Sequence, residues 1–283
     1  MNSQQSLMDE LEGAVQSGSR DKRIDALRRI TDLFLAAPAQ LNAEQIGVFD
    51  DVLTHLVVRV ETKARAELAK RLAPVGQAPN EVIQRLARDD EITVAGPVLT
   101  QSTRLTTADL VDIAQKNGQA HLLAIAGRDR LEERVTDVLV DRGNRDVVQT
   151  LAANTGAAFS QSGYAALVKR ADGDGILAER LGRRVDIPLA LFRDLLRRAT
   201  EAVRARLLAS VSEDQRDVIS RVLADISSEI SGEAPIARNV EDAKRLVQMM
   251  KETGRLNEAE IMTFARHMKY EEVIAGIAIL RTR

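Results

Sequence analysis

The amino-acid sequence predicts an all-α protein, an α-solenoid of stacked antiparallel helix pairs with repeats of ~28 residues, and three observations predict it. A short polar knot recurs at Asp89-Asp90, Asn117-Gly118, Asn144-Arg145, Asp172-Gly173 and Thr200-Glu201, in steps of 28, 27, 28 and 28 residues. Apolar positions at helical spacing flank every knot, and no stretch alternates as a strand would. Aromatic residues make up only 2% of the chain, with no Trp. A core of Leu, Ile, Val and Ala suits short helices packed at close range.

The elements follow in order. Residues 3–15 carry Leu7, Met8, Leu11 and Val15 on one stripe, and Gly18-Ser19 interrupts them. Residues 20–36 place Ile24, Leu27, Ile30, Leu33 and Phe34 at helical spacing, and Pro38 ends the run. Asn42 with Gln45 forms a capping-box pattern that opens a helix running to about Val60. A helix over 62–73 precedes Pro74 and Pro79, and Asn80 is placed to cap a helix from Glu81 to Arg88. Each later unit reads as knot, helix, turn, helix. Gly127, Asn154 and Gly182 recur nine residues past the knots, where the left-handed conformation that closes a helix suits Gly and Asn. Leu99 and Ser210 occupy that place in the outer units, and Pro97 is expected to kink its helix. Asp109, Asp137, Asp194 and Asp217 read as acids in the first turns of second helices. Ser231–Pro235 reads as a linker, a helix follows from Val240 to Glu252, and Leu256–Ala265 overlays Leu105–Ala114 at an offset of 151. The organisation expected is therefore N-terminal helices over 1–60, a repeat array over 61–230, and a C-terminal helical segment over 236–283 that acts as a cap or a dimerisation element.

Composition narrows the chemistry. The chain of 283 residues has a formal net charge of −2, which supplies no bulk attraction to nucleic acid or anionic lipid. It has no cysteine, so disulfides, thiolate metal sites and Cys nucleophiles are excluded, in keeping with a reducing compartment. No basic leader and no apolar run of about 20 residues is present, so the expected location is cytoplasmic, without a membrane partner.

The run Arg134-Val-Thr-Asp-Val-Leu-Val-Asp-Arg-Gly-Asn-Arg-Asp-Val-Val-Gln-Thr-Leu-Ala-Ala-Asn-Thr-Gly-Ala-Ala-Phe-Ser160, followed by Leu181-Gly-Arg-Arg-Val-Asp-Ile-Pro188, resembles the alphaproteobacterial domain-of-unknown-function 2336 family. The resemblance covers most of the chain from about Thr62. It implies a HEAT-like helical-repeat protein of alphaproteobacterial origin. It carries over no activity and no catalytic residue.

Candidate chemistry is sparse. His55, His121 and His267 lie far apart, without the spacing of metal ligands, and His121 falls at a packing position of the repeat. Asp172-Gly173-Asp174-Gly175 resembles part of a calcium loop, but Arg170 and Leu181 then stand where carboxylates are required, so it reads as a helix–helix turn. Residues 165–210 hold ten Lys or Arg against six acids. Arg183, Arg184, Arg197 and Arg198, if they share a face, are suited to phosphate. Arg128 and Arg183 follow the cap glycines, and Arg142 and Arg145 flank a knot, so these are the arginines placed to touch a partner.

No Gly-rich phosphate loop, nucleophile elbow or His–carboxylate pair is present, and the expectation is a non-enzyme without cofactor or metal. The primary reading is a protein-interaction or regulatory scaffold whose partner is another protein, with a homodimer through the C-terminal segment as one form. The alternative is a repeat protein that contacts the phosphates of nucleic acid or a nucleotide second messenger.

Overall fold

The computed structural model describes residues 20–210 and, beyond them, 216, 219–224, 240–252, 256–266, 273, 275–277 and 279. The stripe at 3–15, the linker at 231–235, Asp217 and His267 lie outside the described residues. Two units are distinguished, Met1–Ser210 and Val211–Arg283.

The first unit contains thirteen described α-helices. They are α1 (Arg20–Ala36), α2 (Ala43–Val57), α3 (Thr62–Leu72), α4 (Asn80–Ala87), α5 (Ile92–Gln101), α6 (Thr107–Lys116) and α7 (Gln119–Ala126). Then come α8 (Glu133–Arg142), α9 (Arg145–Ala153), α10 (Gln161–Arg170), α11 (Gly175–Gly182), α12 (Leu189–Arg198) and α13 (Glu201–Ser210). The described residues hold no strand, only an isolated bridge between Leu131 and Ala157. The all-α repeat architecture is therefore present.

With one exception, at α4, each helix packs on the helix two places along. The odd-numbered helices α3, α5, α7, α9, α11 and α13 form one continuous layer, and α6, α8, α10 and α12 form the second. That next-but-one pattern is what stacking of antiparallel hairpins produces. The core runs between the layers as one band that includes Leu72, Leu86, Leu99, Ile113, Leu122, Leu139, Leu151 and Leu181, each essentially inaccessible to solvent. Helices α1 and α2 belong to the same unit: α1 packs on α2 and α3, and Phe34 meets Phe49 edge-on at 5.4 Å. Only part of the stripe predicted for α1 is core, since Leu33 is 51% exposed beside the buried Phe34. The other side of α1 is polar, and Arg28–Glu67 at 3.0 Å and Asp32–Arg71 at 2.5 Å tie it to α3.

The capping box of Asn42 and Gln45 is formed, and a second joins Thr106 to Asp109. Other expected caps differ. Asn80 is the first residue of α4, and the cap comes from Asp50 on α2, whose carboxylate accepts the N–H groups of Glu81 and Val82 at 2.8 Å each. Asp137 and Asp194 lie beyond the first turns of α8 and α12, so of the three acids whose helices are described only Asp109 acts as helix-start chemistry. Helix α5 continues through Pro97.

Gly127 and Asn154 do end their helices, but with φ of −84° and −78°. The left-handed conformation expected there is absent, and Gly173 (φ 77°), in the turn between α10 and α11, has it instead. Gly182, the last residue of α11, serves close packing: a Cβ there would lie 2.6 Å from Leu207 of α13. Gly156 serves it more severely, since a Cβ would stand 1.7 Å from the Asp129 carbonyl oxygen.

In the second unit, α14 (Val240–Glu252) buries Ala243 and Val247, and α15 (Glu258–Arg266) buries Phe264. Gly276 approaches α15 closely, since a Cβ there would sit 3.1 Å from Ile261.

The close approach at Gly156 is to backbone, which cannot rotate away. Gly156→Ala is expected to lower stability by about 3 kcal/mol, the upper range for overpacking. Gly118→Ala, where no atom lies within 4 Å, is expected to change it by under ~1 kcal/mol. Urea midpoints of the two variants check this, and equal midpoints would contradict the tight approach of residue 156 to the Asp129 carbonyl.

Candidate functional site

A helix of eight residues leaves as many terminal backbone groups unpaired as it pairs internally, and one of ten leaves two-fifths of them, so each end of each helix needs an outside partner. The array has two edges. The near edge carries the polar knots, where even-numbered helices end and odd-numbered ones begin. The far edge carries the turns where odd helices end.

At the far edge, Arg128 donates from Nη1 to the Leu99 carbonyl and from Nη2 to that of Ser102 at 2.8 Å, which closes the end of α5. Asn154 donates from Nδ2 to Ala126 O at 2.9 Å and Arg128 O at 2.6 Å, which closes α7. Arg184 donates to Asn154 O at 2.6 Å and Ala157 O at 2.8 Å, which closes α9. The near edge repeats the device: Arg142 donates to Ala114 O, at the end of α6, and Arg170 donates to Val140 O and Gly143 O, at the end of α8. A cation at a helix C-terminus also meets the negative end of its dipole. These arginines are clasps between successive repeats.

Most of the arginines singled out in the sequence are engaged inside the protein. Arg128, Arg142 and Arg184 commit their donors to backbone carbonyls of the array. Arg184 is 9% exposed, bonds the Tyr164 hydroxyl at 2.9 Å and Asp186 at 2.7 Å, and lies 4.8 Å over the Phe159 ring. Burial pushes the Tyr164 phenol up to about 12, against the opposing effect of Arg184. Arg145 pairs with Asp174 at 2.8 Å, Arg183 with Glu179 at 2.5 Å, and Arg198 with Asp194 at 3.1 Å. Arg183 and Arg184 follow α11 at the far edge. Arg197 and Arg198 end α12 at the near edge, where Arg198 stands 3.9 Å from Asp172. The structure does not bring these four together. The basic excess of 165–210 is divided between opposite edges and is largely occupied by acids and carbonyls.

Two aspartates hold the near edge and the even layer. Asp174 caps α11 and takes hydrogen bonds from Arg145, whose effect is the largest, and from Gln149 at 2.9 Å; against burial, these hold its carboxyl at about 2. Burial would raise Asp109, but hydrogen bonds from Thr106, Gln84 and Arg88 outweigh it and also bring it to about 2. His121 is buried, as its repeat position suggested, with Nε2 2.9 Å from the Asp89 carbonyl oxygen.

The feature that sequence reasoning missed is a groove of ≈ 820 Å³ at the start of the array. It opens between the end of α2, the first turn of α3, and α4 with the turn that follows it. Val57 and Leu86 give it a buried apolar floor, and Val58, 53% exposed, stands on its wall. Arg65 crosses it, bonded to Asp89 at 2.7 Å and to the Val60 carbonyl at 3.0 Å. Glu81, Arg85, Asp90 and Glu91 also line it; all four are exposed, and their side chains form no ion pair among the described residues. The even layer is discontinuous here. Helix α4 packs on α2, α3 and α5 rather than on α6, and it reaches α6 through Gln84 and Arg88 to Asp109 at 2.6 and 2.9 Å.

A family model described as "Uncharacterised protein conserved in bacteria (DUF2336)" matches residues 94–281. The match begins later than Thr62, and the groove lies N-terminal to it. No curated protein and no solved structure matches the chain.

Two expectations follow from the clasps. Arg184→Ala leaves two buried carbonyls and the Tyr164 hydroxyl without their donor and is expected to cost roughly 3–5 kcal/mol, whereas Arg183→Ala removes an exposed pair and should cost under about 1 kcal/mol. Urea unfolding of both variants checks the contrast, and equal losses would refute the clasp. Asp174 binds its proton less readily folded than unfolded (about 2 against about 3.9), so its contribution is full above pH ~4 and is lost as pH falls toward ~2. The gap in urea midpoint between the parent and Asp174→Asn should narrow across that window. A gap that stays constant from pH ~5 to ~2 would show that the carboxylate's charge is not what stabilises.

Proposed function

Starting from a chain that belongs to the bacterial DUF2336 family, whose description assigns no activity, we propose that it is a non-catalytic helical-repeat protein acting as a protein-interaction or regulatory scaffold in the bacterial cytoplasm. The observation that carries this reading is the groove between α2, α3 and α4: an open trough of ≈ 820 Å³ with the half-exposed Val58 on its wall and exposed, uncommitted charges around it. An exposed apolar side chain set among solvated polar groups is a surface that a protein partner can cover. The groove is also framed by helices packed into the core, so a partner segment meets a preformed surface, which limits the entropy lost on binding.

The phosphate-contacting alternative has weaker support. Guanidinium groups that already hold carbonyls or carboxylates must give up those bonds to take a phosphate, and Arg128, Arg142 and Arg184 would uncap helices in doing so. The divided placement of Arg183 and Arg197 adds to that, because a nucleotide spans one edge rather than two.

A photo-crosslinking residue placed at Val58 of the full chain tests the reading, with one at Glu133 on α8 as the control site. Discrete protein adducts are expected from Val58 and not from Glu133. Absence of adducts from Val58, together with turnover of a small substrate by the purified chain, would sink the scaffold reading.

A further inference from the structure

Resting on that reading, we infer that the groove between α2, α3 and α4 recognises a basic, amphipathic segment of another protein. That segment places an apolar side chain against the half-exposed Val58 and Lys or Arg side chains beside Glu81, Asp90 and Glu91.

The inference comes from which charges are already spent. Seven charged residues line the groove, and the two internal pairings remove three of them. Arg65 and Asp89 neutralise one another at 2.7 Å, and Arg88 is held by Asp109 of α6 at 2.9 Å. Arg85 remains against Glu81, Asp90 and Glu91, so the uncommitted charge is acidic by two. Its distribution is uneven. Asp90 and Glu91 are adjacent on the turn after α4, while the exposed apolar residue, Val58, ends α2. An occupant that covers Val58 therefore extends toward the acidic turn.

Desolvation strengthens this preference. A positively charged side chain held against the apolar wall is screened less than one in open water, and like charges placed there cost more. The chain's own N-terminal residues 1–19 are a poor occupant on these grounds, because they carry Asp9, Glu10 and Glu12 and no basic side chain. The sign of the uncommitted charge thus favours a foreign segment over the adjoining one. It also separates this groove from the arginine-rich edges, where the charge is positive and internally committed.

The test uses two fluorescein-labelled peptides of about 16 residues with the same leucines at helical spacing, one with lysines and one with glutamates at the polar positions. Fluorescence anisotropy is read against the full chain over a salt series. The lysine peptide is expected to bind at least about tenfold more tightly than the glutamate peptide, with affinity falling as salt rises. The double variant Asp90→Lys, Glu91→Lys is expected to weaken the lysine peptide at least about tenfold, and Glu133→Lys on α8 to leave it unchanged. All variants are exposed charge changes, and circular dichroism confirms that they remain helical.

Preference for the glutamate peptide, or equal binding by the double variant, overturns the assignment of a basic partner but leaves the groove as a recognition site. No binding of either peptide also overturns it, and the crosslinks from Val58 then decide the scaffold reading separately. If the free chain sediments as a dimer that Val58→Glu converts to monomer, the occupant is a second copy, and the inference is overturned.

Discussion

Short helices set the terms of this structure. A helix of eight residues, such as α7 or α11, has four N–H groups and four carbonyls with no partner inside it. It cannot persist in water on local propensity. Apolar burial between two layers supplies the drive to stack, but burial alone would leave a row of orphaned carbonyls along each edge. The arginine and asparagine clasps answer that constraint. Because each one closes a helix in the preceding repeat, no repeat is complete without its successor. Arg128, Asn154 and Arg184 extend this dependence over three consecutive interfaces on one edge, and Arg142 and Arg170 over two on the other.

This explains what could be read from residues alone. The 27–28 residue step survives in the sequence because the helix pair is the repeating object, and the polar knots mark where each odd helix starts. Helix spans were readable for the same reason: α14 runs from Val240 to Glu252 where the periodicity placed it. Caps supplied from a distance were not readable. Asp50 caps α4 from 31 residues away, and nothing in the sequence near Asn80 signals it. Asn154 stands where a left-handed residue is the natural guess, and only the positions of Ala126 and Arg128 show that its amide is the reason it is there. The periodic arginines were visible, but their exposure was not. Arg142 and Arg170 are one repeat apart, and that spacing is itself the signal that they serve the repeat.

The groove was hidden for a complementary reason. It comes from a departure from the period rather than from the period itself. Helices α3 and α4 are separated by a seven-residue connection containing Pro74 and Pro79, no longer than that between α9 and α10, so the departure lies in how α4 packs and not in the length of its connection. Helix α4 then packs on α2 and α5 without completing a pair with α6. Where hairpins tile regularly, neighbouring side chains interdigitate and leave no room. Where one hairpin is displaced, the layer opens, and polar bridges such as Gln84–Asp109 take the place of packed side chains.

The division of labour along the chain then has a physical basis. Between residues 94 and 184, within the stretch matched by the family model, arginine and asparagine side chains lock repeats together, and a partner competing for them would have to break helix caps. Before that stretch, Glu81, Arg85, Asp90 and Glu91 hold no such role, so binding there costs no internal hydrogen bond. Recognition by a tightly clasped array is therefore most favourable where its regularity fails. The same displacement that opens the groove also leaves the charges within it free to meet a second molecule.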